Sequence, residues 1–243
     1  LAGGTLLAIS ANVMNQVFEV ETDKLMERTS DRPIVTGELT KTNGIIYSIS
    51  SGLIGFLILY FLVTPLSSFI GLAANIFYVF IYTLILKPRT NQNIVIGGAS
   101  GAAPVLIGWT ATGSELETGP WVLFLLVFMW TPAHFWALSI ENKADYKNAE
   151  FPMLPIQESY KRTCIFIGIY SCSTVLISLV AAPILQLGII YLFVSIFFGV
   201  NLMYKAFNLY REKIKPINYF IFSNTYRKYK ICLLYTSDAA DEL

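Results

Sequence analysis

Seven apolar runs dominate this chain, at Leu1–Phe18, Asn43–Val63, Leu66–Leu86, Ile94–Thr110, Pro120–Ile140, Thr163–Ala182 and Ile184–Tyr204. Each is near the ~20 residues a helix needs to cross a bilayer. In lipid, only a helix or a closed barrel satisfies its own backbone, and no ten-residue apolar–polar alternation argues for a barrel. The expected fold is therefore all-α, a polytopic membrane helix bundle with seven spans and a further helix starting near Pro216. Composition agrees, because 14% of the residues are charged where soluble domains carry about 25%. A net charge of +1 and the lack of a basic tract leave no case for nucleic acid as a partner.

The charges between the runs set the topology. Lys24, Arg28, Arg32 and Lys41 lie between the first and second spans, and Lys87 and Arg89 between the third and fourth. Lys143, Lys147, Lys161 and Arg162 join the fifth to the sixth, and Lys205, Arg211, Lys213 and Lys215 follow the seventh. The alternate connections, at Thr64-Pro65, Ala111 to Gly119 and around Pro183, hold no Lys or Arg. The positive-inside rule then turns every basic loop to the cytoplasm or its organellar equivalent.

The chemistry-bearing stretch follows the first run, from Asn15 to Pro33. If the helix continues past Phe18, then Asn15, Glu19 and Asp23 stack at i, i+4 and i+8 along one face. Such oxygen side chains suit a hard divalent cation, which keeps water and phosphate oxygens as its remaining ligands. Arg28 and Arg32 follow closely, and the planar guanidinium fork suits phosphate. The pattern reads as a metal-plus-arginine clamp for a diphosphate; the plainer alternative is a solvated loop beyond a span.

A second cluster closes the fifth span, Trp130-Thr-Pro-Ala-His-Phe-Trp-Ala-Leu-Ser-Ile-Glu-Asn-Lys-Ala-Asp-Tyr146. Glu141 and Asp145 form an i, i+4 carboxylate pair, and His134 precedes them on nearly the same helical face. Pro132 is expected to kink the helix. His134 is the only histidine in the sequence; an intramembrane imidazole usually faces the bundle interior or a cavity, and the bland reading is packing against a neighbouring helix. Lys87 and Arg89 end the third span, where basic residues commonly anchor a helix at the interface. The glycine-rich run after Asn93 suits close helix packing and lacks the glycine–lysine order of a P-loop.

Several motifs in this order and spacing resemble the UbiA-type intramembrane prenyltransferases. The first is Asn15-x3-Glu19-x3-Asp23 with Met26-Glu-Arg28-Thr29 and Arg32-Pro33. Asn91-Gln-Asn-Ile-Val-Ile-Gly-Gly, Gly101-Ala-Ala-Pro, Ile107-Gly-Trp109, Trp130-Thr-Pro-Ala-His-Phe-Trp-Ala-Leu and Asp145-Tyr-x-x-Ala-x-x-Pro-Met-Leu-Pro155 are closest to the heme-farnesylating (heme O synthase) branch. The likeness runs from Leu1 to about Phe222.

The resemblance implies Mg²⁺-dependent transfer of a farnesyl group from farnesyl diphosphate to a vinyl group of heme b, giving heme O and diphosphate. It also implies a nine-helix fold with seven spans present here. Asn15, Glu19, Asp23 and Asp145 would act at the metal, with Glu141 a further candidate ligand; Arg28, Arg32, Lys87 and Arg89 would bind diphosphate. His134 would contact heme iron, steer a propionate or move a proton. The implied setting is a bacterial inner membrane, ahead of the mitochondrial inner membrane, with the active site on the cytoplasmic or matrix face. Its product would pass to heme A synthase or to terminal-oxidase assembly. The alternatives are a quinone-precursor or chlorophyll-type ring as acceptor and, more distantly, a helical transporter.

Three positions depart from the family pattern: Glu19 where many members have Asp, Ala133 where proline is common, and Glu150 where a small residue is usual. Relative to nine helices, the first and most of the last are expected to be missing. Residues 1–230 read as the prenyltransferase domain, a fragment, and residues 231–243 as a non-native tail. Cys164, Cys172 and Cys232 lack metal-site spacing and read as small core residues.

Overall fold

The computed structural model describes the backbone of residues 1–238 and the side chains of residues 1–229. The expected non-native tail, 231–243, therefore lies outside the described side chains. In chain order the helices are α1 (Ala2–Phe18), α2 (Val20–Asp23), α3 (Pro33–Thr36), α4 (Lys41–Leu62), α5 (Pro65–Leu86) and α6 (Asn93–Thr110). There follow α7 (Thr118–Glu141), α8 (Lys143–Asn148), α9 (Leu154–Gln157), α10 (Tyr160–Ile184), α11 (Ile189–Tyr210) and α12 (Pro216–Asp238). No strand occurs among the described residues.

Six helices, α4, α5, α6, α7, α10 and α11, are long and apolar enough to cross a membrane. Against the expected seven spans, α1 is shorter, with 17 residues, or about 25 Å at 1.5 Å per residue. The expected Ile184 start of the seventh run is also displaced. α10 continues through Pro183 to Ile184, and a turn with Gln186 at φ 52 delays α11 until Ile189. Sequence hydropathy runs straight across that turn, because its flanks are equally apolar.

The chain divides into two compact units, one of residues 1–116 and 142–157, the other of residues 117–141 and 158–243. In the first, α1 packs chiefly on α4, and α5 packs on α4, α6 and α1. The α1–α4 contact is antiparallel: Gly3 meets Gly55, Ser48 Oγ donates to Ser10 O at 2.8 Å, and Val17 meets Gly44. It is also very close. A Cβ on Gly55 would sit 2.7 Å from Gly3 O, so any larger residue would force the backbones apart.

α1 and α5 run parallel and in register. Asn75 Nδ2 donates to Leu7 O, Asn15 Nδ2 to Thr83 Oγ1 and Lys87 Nζ to Glu19 Oε2, each across a separation of 68 residues. The second half of α5, Phe77–Leu86, is π-helical, and Lys87 N donates five residues back to Tyr82 O at 2.9 Å. Most π-helical segments are single-turn bulges, frequently at functional sites; this one carries Thr83 and delivers Lys87 at its end.

In the second unit α10 packs on α7 and α11, and α12 on α7 and α11. The seams are tied by neutral hydrogen bonds, including Ser171 with Tyr219 at 2.6 Å, Tyr226 OH to Ser178 Oγ at 3.0 Å and Tyr160 OH to Leu209 O at 3.0 Å. α7 passes through Pro132 as one helix. Cys164 is buried here as expected, whereas Cys172 is exposed and does not belong to the core.

Candidate active site

α1 ends at Phe18, but the backbone keeps its four-residue bonding through Glu19. Glu19 N donates to Asn15 O at 2.9 Å and Asp23 N to Glu19 O at 2.7 Å. The i, i+4, i+8 spacing therefore does place Asn15, Glu19 and Asp23 along one continuing helical face. All three are buried, at 6%, 6% and 0% exposure. The plainer alternative of a solvated loop does not describe them.

Each acid has one cationic partner. Lys87 Nζ reaches Glu19 Oε2 at 2.6 Å, and Arg32 Nη1 reaches Asp23 Oδ2 at 2.5 Å. Burial pushes the Lys87 ammonium below the usual lysine value, and the Glu19 carboxylate pulls it partly back. The other oxygens, Glu19 Oε1 and Asp23 Oδ1, are buried with no hydrogen-bond partner. A buried unsatisfied acceptor costs about 1–3 kcal/mol, and more when charged, so two on adjacent turns call for a donor or a cation. Hard anionic oxygens beside an amide oxygen fit a divalent metal by charge and donor type. Among the described residues, no three His, Cys, Asp or Glu side chains form a ready-made metal cage. The remaining ligands would have to come from Asn15, solvent or substrate.

The segment carrying α8 and α9 covers this cluster. Arg28 lies over the Tyr146 ring, 5.3 Å from its centre, and donates to Tyr146 OH at 3.3 Å. Lys87 lies 4.5 Å from the centre of the Phe151 ring. Tyr78 is within electrostatic reach of Glu19, Asp23 and Arg32, and Tyr82 of Glu19, Arg28 and Tyr146. Asp145, next to Tyr146, is half-buried and makes no ion pair among the described residues. Gly97 makes room for Tyr82, since a Cβ there would overlap the tyrosine ring.

Other sequence candidates sit elsewhere. Arg89 is exposed and donates to Leu84 O and Ile85 O, capping its own helix. Glu141 is exposed at the end of α7, and a break at Asn142 separates it from α8, so no single helix carries Glu141 and Asp145. His134, in the second unit, is stacked between Trp130 and Phe220, with both ring centres at 4.1 Å. Its Nδ1 lies 2.6 Å from Ser223 Oγ on α12. Thr83, Tyr146 and Phe151 were not singled out by the sequence. Thr83 had one signal, its place four residues before Lys87; the aromatic pair had none beyond proximity to Asp145.

An apolar groove of about 270 Å³ runs along α1, up to Asn12, one turn before Asn15. Gly4, Leu7, Ala8 and Ala11 line it from α1, Tyr78 from α5 and Pro104 from α6. Its volume is just under the ~300 Å³ at which small-molecule pockets usually begin.

The UbiA prenyltransferase family model matches residues 1–224. A protoheme IX farnesyltransferase of Cutibacterium acnes is 40% identical over 251 aligned positions, covering 100% of this chain and 73% of that protein. Among solved structures, a digeranylgeranylglyceryl phosphate synthase superposes with a TM-score of 0.78 at 18% identity, covering 96% of this chain and 81% of that one. A UbiA homologue from Archaeoglobus fulgidus, bound to GPP and Mg²⁺, gives 0.66 at 17% identity, covering 97% and 88%. With the family matched over nearly its whole length and its acid ladder buried on one helical face, the chain belongs to the UbiA prenyltransferase family.

Proposed function

We propose that this protein transfers the farnesyl group of farnesyl diphosphate to a vinyl group of protoheme IX, with Mg²⁺ as cofactor. The observation that carries this reading is the pair of orphaned carboxylate oxygens, Glu19 Oε1 and Asp23 Oδ1, set among Lys87, Arg32 and Arg28. The names of the relatives supply the acceptor. Asn15, Glu19 and Asp23 would hold the cation, and Asp145, on the covering segment, is the candidate for a second carboxylate contact. Magnesium, when bound, supplies charge neutralisation of the leaving diphosphate.

This chain's own residues do the rest. With Glu19 and Asp23 engaged in holding a cation, the Lys87 ammonium and the Arg32 fork would be free to donate to phosphate oxygens, alongside Arg28. Their positive charge then meets negative charge that grows as the C1–O bond of farnesyl diphosphate breaks. The groove along Gly4, Leu7, Ala8 and Ala11 offers the isoprenoid tail an apolar bed. Tyr78 lines that bed, its ring suited to face an allylic cation. The new C–C bond forms at the vinyl carbon; water captures the resulting cation and releases a proton, leaving a hydroxyl. By the positive-inside rule, the basic loops favour the cytoplasmic side for this end of the helices.

Purified protein given farnesyl diphosphate, heme b and Mg²⁺ should yield a farnesylated porphyrin by mass spectrometry, and EDTA should stop its formation. Prenylation of a quinone-precursor ring instead of heme would move the acceptor assignment to that class, and turnover undiminished by EDTA would remove the cation.

A further inference from the structure

The three residues of the ladder are not chemically alike. Either oxygen of Glu19 or Asp23 can face a cation, but Asn15 carries an amide with an acceptor at one end and a two-proton donor at the other. If nitrogen faced the cation, the site would lose a ligand and gain a repelling dipole. Something must fix the orientation of that amide.

Thr83 is placed to do so. It is 4% exposed, and its Oγ1 lies 3.1 Å from Asn15 Nδ2. Its own hydroxyl proton is committed elsewhere, since Oγ1 donates to Tyr78 O, five residues back in the π-helical stretch, at 2.9 Å. An oxygen whose proton is already given away offers lone pairs alone, so the group it accepts from Asn15 must be the N–H end. Asn15 Oδ1 makes no hydrogen bond among the described residues. The α5 register puts Thr83 there, because the same offset pairs Lys87 with Glu19 one turn further on.

We propose that Thr83 is a positioning residue for the cation site, holding the Asn15 amide with its nitrogen toward α5 and its oxygen free to ligate. This rests on the reading of Asn15, Glu19 and Asp23 as cation ligands. Outer contacts of this kind typically carry a 10–100-fold effect on metal affinity.

The test is titration of the full chain in detergent with Mn²⁺ and inorganic diphosphate, the bound metal being read by electron paramagnetic resonance. Thr83→Val should weaken Mn²⁺ binding about tenfold, while Thr83→Ser, which restores the hydroxyl, should stay within about twofold of the parent. Thr83→Ala carries the same expectation as valine without the added methyl contact, should valine disturb folding. In an Asn15→Asp background, where both ends of the side chain accept, Thr83→Val should have no further effect. Parent-like binding by Thr83→Val and Thr83→Ala would overturn the proposal, and so would an equal loss in the Asn15→Asp background, the mark of a merely structural threonine. Saturable binding that depends on Asp23 but ignores Thr83 sinks this inference alone. A parent protein that binds no Mn²⁺, or one in which Asp23→Asn leaves binding intact, sinks the cation site and this inference with it.

Discussion

Two seams between helices in this protein bury polar side chains in opposite ways. Between α7 and α12, His134 is stacked between two aromatic rings and bonded to Ser223, while Trp130 Nε1 donates to Ser223 O at 2.9 Å. Just past the ends of α1 and α5, two acids and a lysine are buried, and two carboxylate oxygens are left without donors. The second unit does hold an unpartnered buried atom, Trp136 Nε1, but it is neutral. The α7–α12 seam carries a charge, the Arg227 guanidinium, which lies over the Trp130 ring 4.3 Å from its centre; the hydrogen bonds among its neutral groups are those of packing in many membrane bundles. An unsatisfied charged seam is too costly to serve packing alone, and its orphaned oxygens mark where a ligand belongs.

The contrast is sharpest for Asp23→Asn. That variant should fold yet lose prenyl transfer by at least about 10²–10³-fold, the scale of losing one aimed electrostatic contact, and near-normal turnover would dissolve the distinction between the seams. Asp145→Asn is expected to fall in the same direction; turnover like the parent's would leave the covering segment a structural role only.

Lys87→Met comes next. It leaves the Glu19 carboxylate buried and unpaired, and should destabilise the protein by about 3–5 kcal/mol. Adding Glu19→Gln should recover most of that loss, as read by thermal unfolding in detergent. A double variant no more stable than Lys87→Met would mean that the lysine contributes packing rather than charge pairing.

His134→Ala should cost about 1–3 kcal/mol from the lost hydrogen bond and stacking. Farnesyl diphosphate binding should persist in that variant, and its loss, measured with a radiolabelled substrate, would give the α7–α12 seam a role in the chemistry after all. Gly97→Ala is expected to cost about 1–3 kcal/mol, because a new methyl there would overlap the Tyr82 ring. A rise in the KM for farnesyl diphosphate should accompany it, and an unchanged KM would detach Tyr82 from the site.

Much of the site could be read in the primary structure. Asn15, Glu19 and Asp23 recur every four residues, and the 3.6-residue turn alone puts them on one face once the helix persists. The six long spans follow from apolar length. The Glu141–Asp145 spacing had the same form and a different outcome, since α7 ends at Glu141 before α8 begins. Periodicity cannot report where a helix breaks. Arg89 and Lys87 are equally basic and two residues apart, yet one caps its own helix and the other crosses to Glu19.

The sequence by itself determined an all-α membrane protein, the family motifs and the order of acids along one helix, because these depend on contacts within a few residues. The tertiary structure decided that Lys87 neutralises Glu19, that Arg32 neutralises Asp23, that a π-helical stretch brings Thr83 to Asn15, and that His134 is enclosed by aromatic rings. Those pairings, apart from Arg32 with Asp23 and the i, i+4 stack of His134 on Trp130, join residues 68 or more positions apart. Helix packing fixes them, and no local pattern encodes them.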